Sequence, residues 1–318
     1  MNLFRSDAYN NICIAGVGGV GGYFGGMIAL NITGNYKDKR NVIFVARGAH
    51  LEAIQKKGLI IKPFEGEPIT CMPNIATQKV TDLNLINLLI IAVKGYDLQQ
   101  TVESIKEKIS SDTVIIPLLN GVGNEEKVRK IIPKGIILPS CVYLSSKIEE
   151  PGVIKMMGNL SRIVSGPDPL NPGYDNQEII SFFQGIGIKF NWAENPQIAI
   201  WQKYLFIAPA ALITAANNIT MNAIVRNEEY KQDFCNIMAE IRKIAEKKNI
   251  ILPENAEADS LKIAEKIDKD AKTSFQLDVE NKKPKTEIDA FGYEIIRMGK
   301  EFSVDTPVTE KIISRIKI

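Results

Sequence analysis

Seven glycines fall within ICIAGVGGVGGYFGG, residues 12–26, and three of them, Gly16, Gly18 and Gly21, match the spacing G-x-G-x-x-G directly behind a short apolar run. That spacing has a specific chemistry. The first glycine permits a tight turn, the second removes a Cβ that would block a pyrophosphate, and the third lets a helix approach the preceding strand. Amides at the start of the next helix, with the positive end of its dipole, then face the anion. Gly16, Val17, Gly18, Gly19, Val20 and Gly21 are therefore the expected lining of a dinucleotide site, against the plainer reading of a glycine-rich connection with no ligand. Gly22, Gly25 and Gly26 favour the first reading. A glycine inside a helix costs about 1 kcal/mol against alanine, so each implies a close-packing reason.

The second apolar run ends in NVIFVARGAH, which carries Arg47 where an NAD site would carry an acid for the ribose 2′-hydroxyl. A guanidinium pairs well with phosphate. The expectation is NADP(H) rather than NAD(H); the plainer reading is a solvated arginine at a strand end. Lys94 follows LLIIAV and Asn120 follows IIPLL. Ligands of open α/β sheets bind at the carboxyl ends of strands, so these residues and the glycine loop outline one crevice.

Positioning these groups requires a sheet. NICIA (11–15), NVIFVA (41–46), LLIIAV (88–93) and TVIIPL (113–118) read as buried strands, alternating with helices from Val20 to about Asn31 and over 50–57, 97–109 and 125–132. Continuous Val, Ile and Leu runs belong to strands covered on both faces, which predicts a Rossmann-type, doubly wound, mostly parallel sheet. GLIIKPFEGEPITCMP reads as a hairpin decorating the sheet edge. Further strands are expected near 137–146, 152–157, 161–165 and 188–192, with a helix near 176–185. Beyond residue 195 strand signals nearly vanish, and Phe234, Ile237, Met238, Ile241, Ile244 and Ala245 follow the i, i+3, i+4 spacing of a helix with one buried face. Two domains are predicted, 1–192 binding NADP and 193–318 an all-helical substrate and catalytic domain.

The chain has 318 residues, and its 39 basic and 37 acidic side chains leave a net charge of +2. That balance points to neither nucleic acid nor a membrane surface as partner. Cys13, Cys71, Cys141 and Cys235 are widely spaced and His50 is the single histidine, so no metal site is expected. The start, MNLFRSDAYNN, lacks the apolar core of a signal peptide, and reduced thiols fit the cytoplasm. The apolar stretch 198–216 is interrupted by Lys203 and Pro209 and reads as a buried helix of a soluble protein.

Together the residues resemble the ketopantoate reductases (2-dehydropantoate 2-reductases). The resemblance rests on GVGGVG (16–21), VARGAHLEAI (45–54), AVKGYDL (92–98), LLNGVGNEE (118–126), PGVI (151–154), WQKYL (201–205), TSFQLD (273–278) and KTEID (285–289), in the family's order. It implies NADPH-dependent reduction of a 2-oxo acid, ketopantoate to pantoate in pantothenate and coenzyme A biosynthesis, in a cleft between a Rossmann-type and a helical domain. By the same resemblance Arg47 contacts the 2′-phosphate, Lys94 orients the cofactor and Asn120 lies near nicotinamide and substrate carbonyl. Lys203 is the general acid, Ser274 binds the substrate carboxylate, and Glu287 helps hold cofactor and lysine.

Chemistry agrees with the lysine. Hydride delivered to a ketone leaves an alkoxide, and a lysine, charged at neutral pH, can polarise the carbonyl and protonate the product. Glu287 has a structural counterpart reading, because Thr286 and Asp289 fit a capping box. The sequence also departs from the family: Ile207 and Ala211 stand where two substrate-binding asparagines are usual, and one extra residue lies between Asp278 and Glu287. That leaves a more apolar 2-oxo acid, a non-catalytic NADP(H)-binding regulator and an opine- or imine-type dehydrogenase as alternatives. Monomer and homodimer both stay open.

Overall fold

The computed structural model describes residues 9–34 and 38–317; the N-terminal residues on which the reading of the leader partly rests lie outside these. Two compact units emerge, one of residues 1–119 and 123–196, the other of 120–122 and 197–318. Residues 193–196 thus group with the first unit and 120–122 with the second, a finer division than a single cut at 192.

The first unit runs β1 (Asn11–Ala15), α1 (Gly19–Thr33), β2 (Asn41–Val45), α2 (Gly48–Lys57), β3 (Leu59–Lys62), β4 (Ile69–Cys71), β5 (Ile75–Thr77) and β6 (Ile86–Ile91). It continues with α3 (Leu98–Ile105), β7 (Ile109–Pro117), α4 (Asn124–Ile131), β8 (Ile136–Ile137), β9 (Ser140–Glu150), β10 (Val153–Ser165), α5 (Gln177–Gly185) and β11 (Phe190–Trp192). Six strands in the order β5-β2-β1-β6-β7-β8 form a sheet whose described pairings are all parallel. Along β1 the side chains alternate. Ile12 and Ile14 enter one buried cluster with Phe24 and Ile28 of α1, while Cys13 and Ala15 enter another with Leu98 and Val102 of α3. Both faces are therefore apolar, as the uninterrupted runs require.

Two expectations need correction. The hairpin β3–β4 does not decorate this sheet: it pairs with β10 in a second sheet, β11-β10-β3-β4, with β9 antiparallel to β10. On the β2 side the main sheet ends instead in β5, three residues long, too short and mixed for a periodic signal. The two strands expected over 152–165 are one, β10, with a register shift between Met156 and Ser161.

Helix α1 packs between the two sheets, and its glycines explain how. A Cβ on Gly22 would lie 2.6 Å from Ile154 of β10, on Gly25 3.0 Å from Ile14 of β1, and on Gly26 2.6 Å from Ile61 of β3. These glycines convert a helix into a closely packed spacer.

The second unit contains no strand among its described residues. It comprises α6 (Pro196–Asn217), whose first residue belongs to the first unit, then α7 (Glu228–Lys247), α8 (Ala256–Lys266), α9 (Ser274–Glu280), α10 (Glu294–Phe302) and α11 (Pro307–Ile313). The apolar stripe of α7 from Phe234 to Ala245 is fully buried, as its spacing predicts. Phe234 meets Phe206 of α6 edge-on at 6.1 Å. Helix α6 continues through Pro209 to Asn217.

Candidate active site

The glycine loop joins β1 to α1. Gly16 has φ +93°, a conformation that glycine adopts readily and other residues rarely do, and its N–H donates to the Val45 carbonyl at 3.0 Å, extending the ladder one residue past the strand. Gly21 sits where a Cβ would fall 1.9 Å from the Gly16 carbonyl oxygen, so only glycine lets α1 start so near the turn. Gly18 is the reverse case. A Cβ there would meet nothing within 4 Å, so packing does not explain this glycine. Gly18 is also the N-cap of α1 and offers no side-chain cap to the first amides of the helix. Close beside them, the enclosed Ser146 Oγ has no hydrogen-bond partner among the described residues and lies 2.9 Å from where a Gly19 Cβ would stand. An open glycine, uncapped amides and an enclosed hydroxyl together fit a dinucleotide pyrophosphate.

Arg47 is the N-cap of α2 and points into solvent, its side chain 67% exposed. The sequence places no acid near it, but the fold does: its Nη2 pairs with Oδ2 of Asp97, which follows β6. Lys94 precedes the same short turn, Gly95–Asp97, and is half-buried. Asp97 is a residue that sequence reasoning passed over. Its signal was its position three residues after Lys94, at the exit of a strand adjacent to β1.

His50 lies in the first turn of α2. Its Nδ1 accepts from the Gly152 N–H at 3.0 Å, and the Val17 carbonyl of the glycine loop is within reach of the ring. Burial pushes its pKa below the ordinary histidine value, outweighing the carbonyl. Its bond to the Gly152 N–H makes it a brace for the turn between β9 and β10 rather than a proton donor.

In the second unit Asn120 and Lys203 come together: Lys203 Nζ donates to Asn120 Oδ1 at 2.9 Å. Both side chains are half-buried. Gly121, φ +97°, turns the chain beside Ala290, and the Ala290 carbonyl accepts from the Tyr204 hydroxyl at 2.8 Å. Ala290 belongs to a π-helical turn, Asp289–Tyr293, of a kind often found at functional sites. The 120–122 loop, α6 and the π turn thus converge. Glu287, 3% exposed, stands two residues before that turn. The capping box does not form: Ile288 rather than Thr286 precedes the turn, and the Asp289 carboxylate accepts from Arg297 at 2.7 and 3.0 Å. Tyr204 and the Ala290 carbonyl were invisible to motif reading.

Ser274 is not brought to Lys203 by any described contact. It is exposed on the first turn of α9, and the preceding Thr273 shares a 3.1 Å hydrogen bond with Thr214 of α6. Thr214 lies three turns beyond Lys203, roughly 16 Å along the helix axis. Between them Ile207 is half-buried, whereas Ala211 is fully enclosed.

The family profile described as Ketopantoate reductase PanE/ApbA matches residues 12–169, and Ketopantoate reductase PanE/ApbA C terminal matches residues 195–318. The uncharacterized oxidoreductase YkpB of Bacillus subtilis (strain 168) is 27% identical over 305 residues, 96% of this chain and 97% of its own. The 2-dehydropantoate 2-reductase of Pyrococcus horikoshii is 26% identical over 306 residues, 96% of either chain. Solved structures share the fold. A PanE/ApbA family ketopantoate reductase from Ralstonia eutropha JMP134 has a TM-score of 0.84 at 21% identity, covering 96% of this chain and 97% of that one. D-mandelate dehydrogenase with NADH and anilino(oxo)acetate has a TM-score of 0.82 at 21% identity, with the same coverage. With both profiles matched along most of its length, the chain belongs to the ketopantoate reductase family of oxidoreductases.

Proposed function

We propose that this protein uses NADPH to reduce a 2-oxo acid to the 2-hydroxy acid, with 2-dehydropantoate to pantoate, a step toward pantothenate and coenzyme A, as the leading reaction. The observation that carries the reading is the Lys203–Asn120 hydrogen bond, in which an aimed ammonium stands beside the turn that follows β7.

Each group then has a task. Arg47 would pair with the 2′-phosphate, the Gly16–Gly21 loop and the first amides of α1 would hold the pyrophosphate, and Lys94 would orient the remainder. The bound cofactor supplies the hydride. Lys203 polarises the substrate carbonyl and gives a proton to its oxygen as the alcohol forms. An ammonium carries three N–H bonds, so acceptance of one by Asn120 fixes the direction of the others. Glu287 would help hold Lys203 and the cofactor. Three of the four cysteines are buried and all four are free, which supports a reducing cytoplasmic setting. The partner is a small 2-oxo acid, with neither nucleic acid nor membrane required.

A second substrate is favoured by one observation. Ile207 is apolar and half-buried one turn from Lys203, so a 2-oxo acid with a more apolar side chain would suit that surface. The mechanism is tested by Lys203→Ala: kcat should fall by about two to four orders of magnitude while the NADPH dissociation constant changes little. Unaltered turnover would remove Lys203 from the donor role.

A further inference from the structure

The Arg47–Asp97 ion pair lies wholly within the first unit. Sheet register aligns Ala15 with Val45 on one side and with Ile91 on the other, so β2, β1 and β6 end level. Arg47 comes two residues after β2, and Asp97 closes the turn that follows β6. Adjacent strands are about 4.8 Å apart, so the pair joins loops from strands roughly 10 Å apart, flanking the exit of β1 into the glycine loop. Its two members are unequal. The Arg47 side chain is 67% exposed, whereas that of Asp97 is only 9% exposed.

We propose that Asp97 sets the cofactor preference by competing with the 2′-phosphate of NADPH for Arg47. The inference rests on the reading of Arg47 as the phosphate contact. A phosphate offers the guanidinium a bidentate partner, but a carboxylate already holds one edge of it. When the phosphate binds, Arg47 must leave or share Asp97, and the carboxylate then stands near a second anion of like charge. NADH carries only a hydroxyl at that point and meets neither penalty. Asp97 therefore narrows the gap between the two cofactors that Arg47 alone would open.

The test is a set of dissociation constants for NADPH and NADH on the full chain. Asp97→Asn keeps size and an acceptor while removing the charge, and should tighten NADPH by about three- to tenfold with NADH unchanged or weaker. Weaker NADPH binding, or equal shifts for both cofactors, overturns the proposal. Arg47→Ala separates the two layers. If it leaves the NADPH preference intact, the phosphate assignment itself fails; if it abolishes the preference while Asp97→Asn does not tighten NADPH, only the competition fails. Should Asp97→Asn not fold, the wild-type protein still decides. The Arg47 side-chain NMR resonance, assigned with Arg47→Lys, should move on adding 2′,5′-ADP and stay with 5′-ADP. No movement with 2′,5′-ADP contradicts competition.

Discussion

Lys203 Nζ donates to Asn120 Oδ1 across 2.9 Å, and the two residues are 83 positions apart in sequence. One comes from α6 and the other from the N-G-V-G turn, where Gly121 at φ +97° lets the chain reverse. A donor aimed by an amide acceptor loses rotational freedom. Asn120→Ala should therefore lower kcat by about one to two orders of magnitude, less than loss of Lys203 itself. Steady-state kinetics on both variants decide the order; an Asn120 variant as impaired as Lys203→Ala would mean that Asn120 acts directly on the substrate.

Gly18→Ala separates a folding glycine from a binding glycine. Its φ of −78° suits alanine, and the new methyl would meet nothing within 4 Å. Thermal stability should stay within a degree or two, while NADPH affinity falls by about tenfold or more because the methyl occupies the pyrophosphate's approach. Gly21→Ala should instead unfold the loop, its Cβ lying 1.9 Å from the Gly16 oxygen. Calorimetry with titration of NADPH reads both.

Ile207 and Ala211 respond differently to the asparagine that relatives of this chain are expected to carry. Ile207 is half-buried, so Ile207→Asn should fold and raise kcat/KM for 2-dehydropantoate by about tenfold through a new contact to its hydroxyl. Ala211 is enclosed. Ala211→Asn buries an amide and adds volume, costing about 1–3 kcal/mol, seen as a drop in Tm without a gain in activity. A gain from Ala211→Asn would show that helix face to be open to substrate.

His50 makes stability pH-dependent. Its folded pKa lies below the ordinary value of 6.5, so as pH falls the unfolded chain takes up this proton first and the native state loses stability. The loss begins near 6.5 and is complete below the folded value. His50→Gln retains an acceptor for the Gly152 N–H and should flatten the fall in Tm as pH drops below about 6.5 relative to wild type. Parallel curves for the two proteins would exclude His50 as the titrating group.

Much of the first unit was legible because both faces of its sheet are covered. Ile12, Ile14, Cys13 and Ala15 are all apolar, and the glycines behind them mark the turn and the helix. What local patterns cannot carry is partnership. Nothing in LIIK announces that β3 pairs with β10, more than 90 residues downstream, rather than with the parallel sheet. The site shows the same division. Lys203 and Asn120 are recognisable singly by motif, and their hydrogen bond is a product of the fold. Asp97 was missed because its meaning depends on Arg47, which lies 50 residues earlier. Thr286 and Asp289 have the spacing of a capping box, but the chain enters a π turn there and Arg297 takes the acid.

The central claim, NADPH-dependent reduction of a 2-oxo acid, is met most directly by one assay: the purified chain with a panel of 2-oxo acids, 2-dehydropantoate among them, each offered with NADPH and with NADH. The account predicts loss of the reduced cofactor with matching formation of the 2-hydroxy acid, faster with NADPH, for 2-dehydropantoate or a more apolar relative. Tight NADPH binding with no oxidation across the whole panel would contradict it and assign the chain a cofactor-sensing role instead.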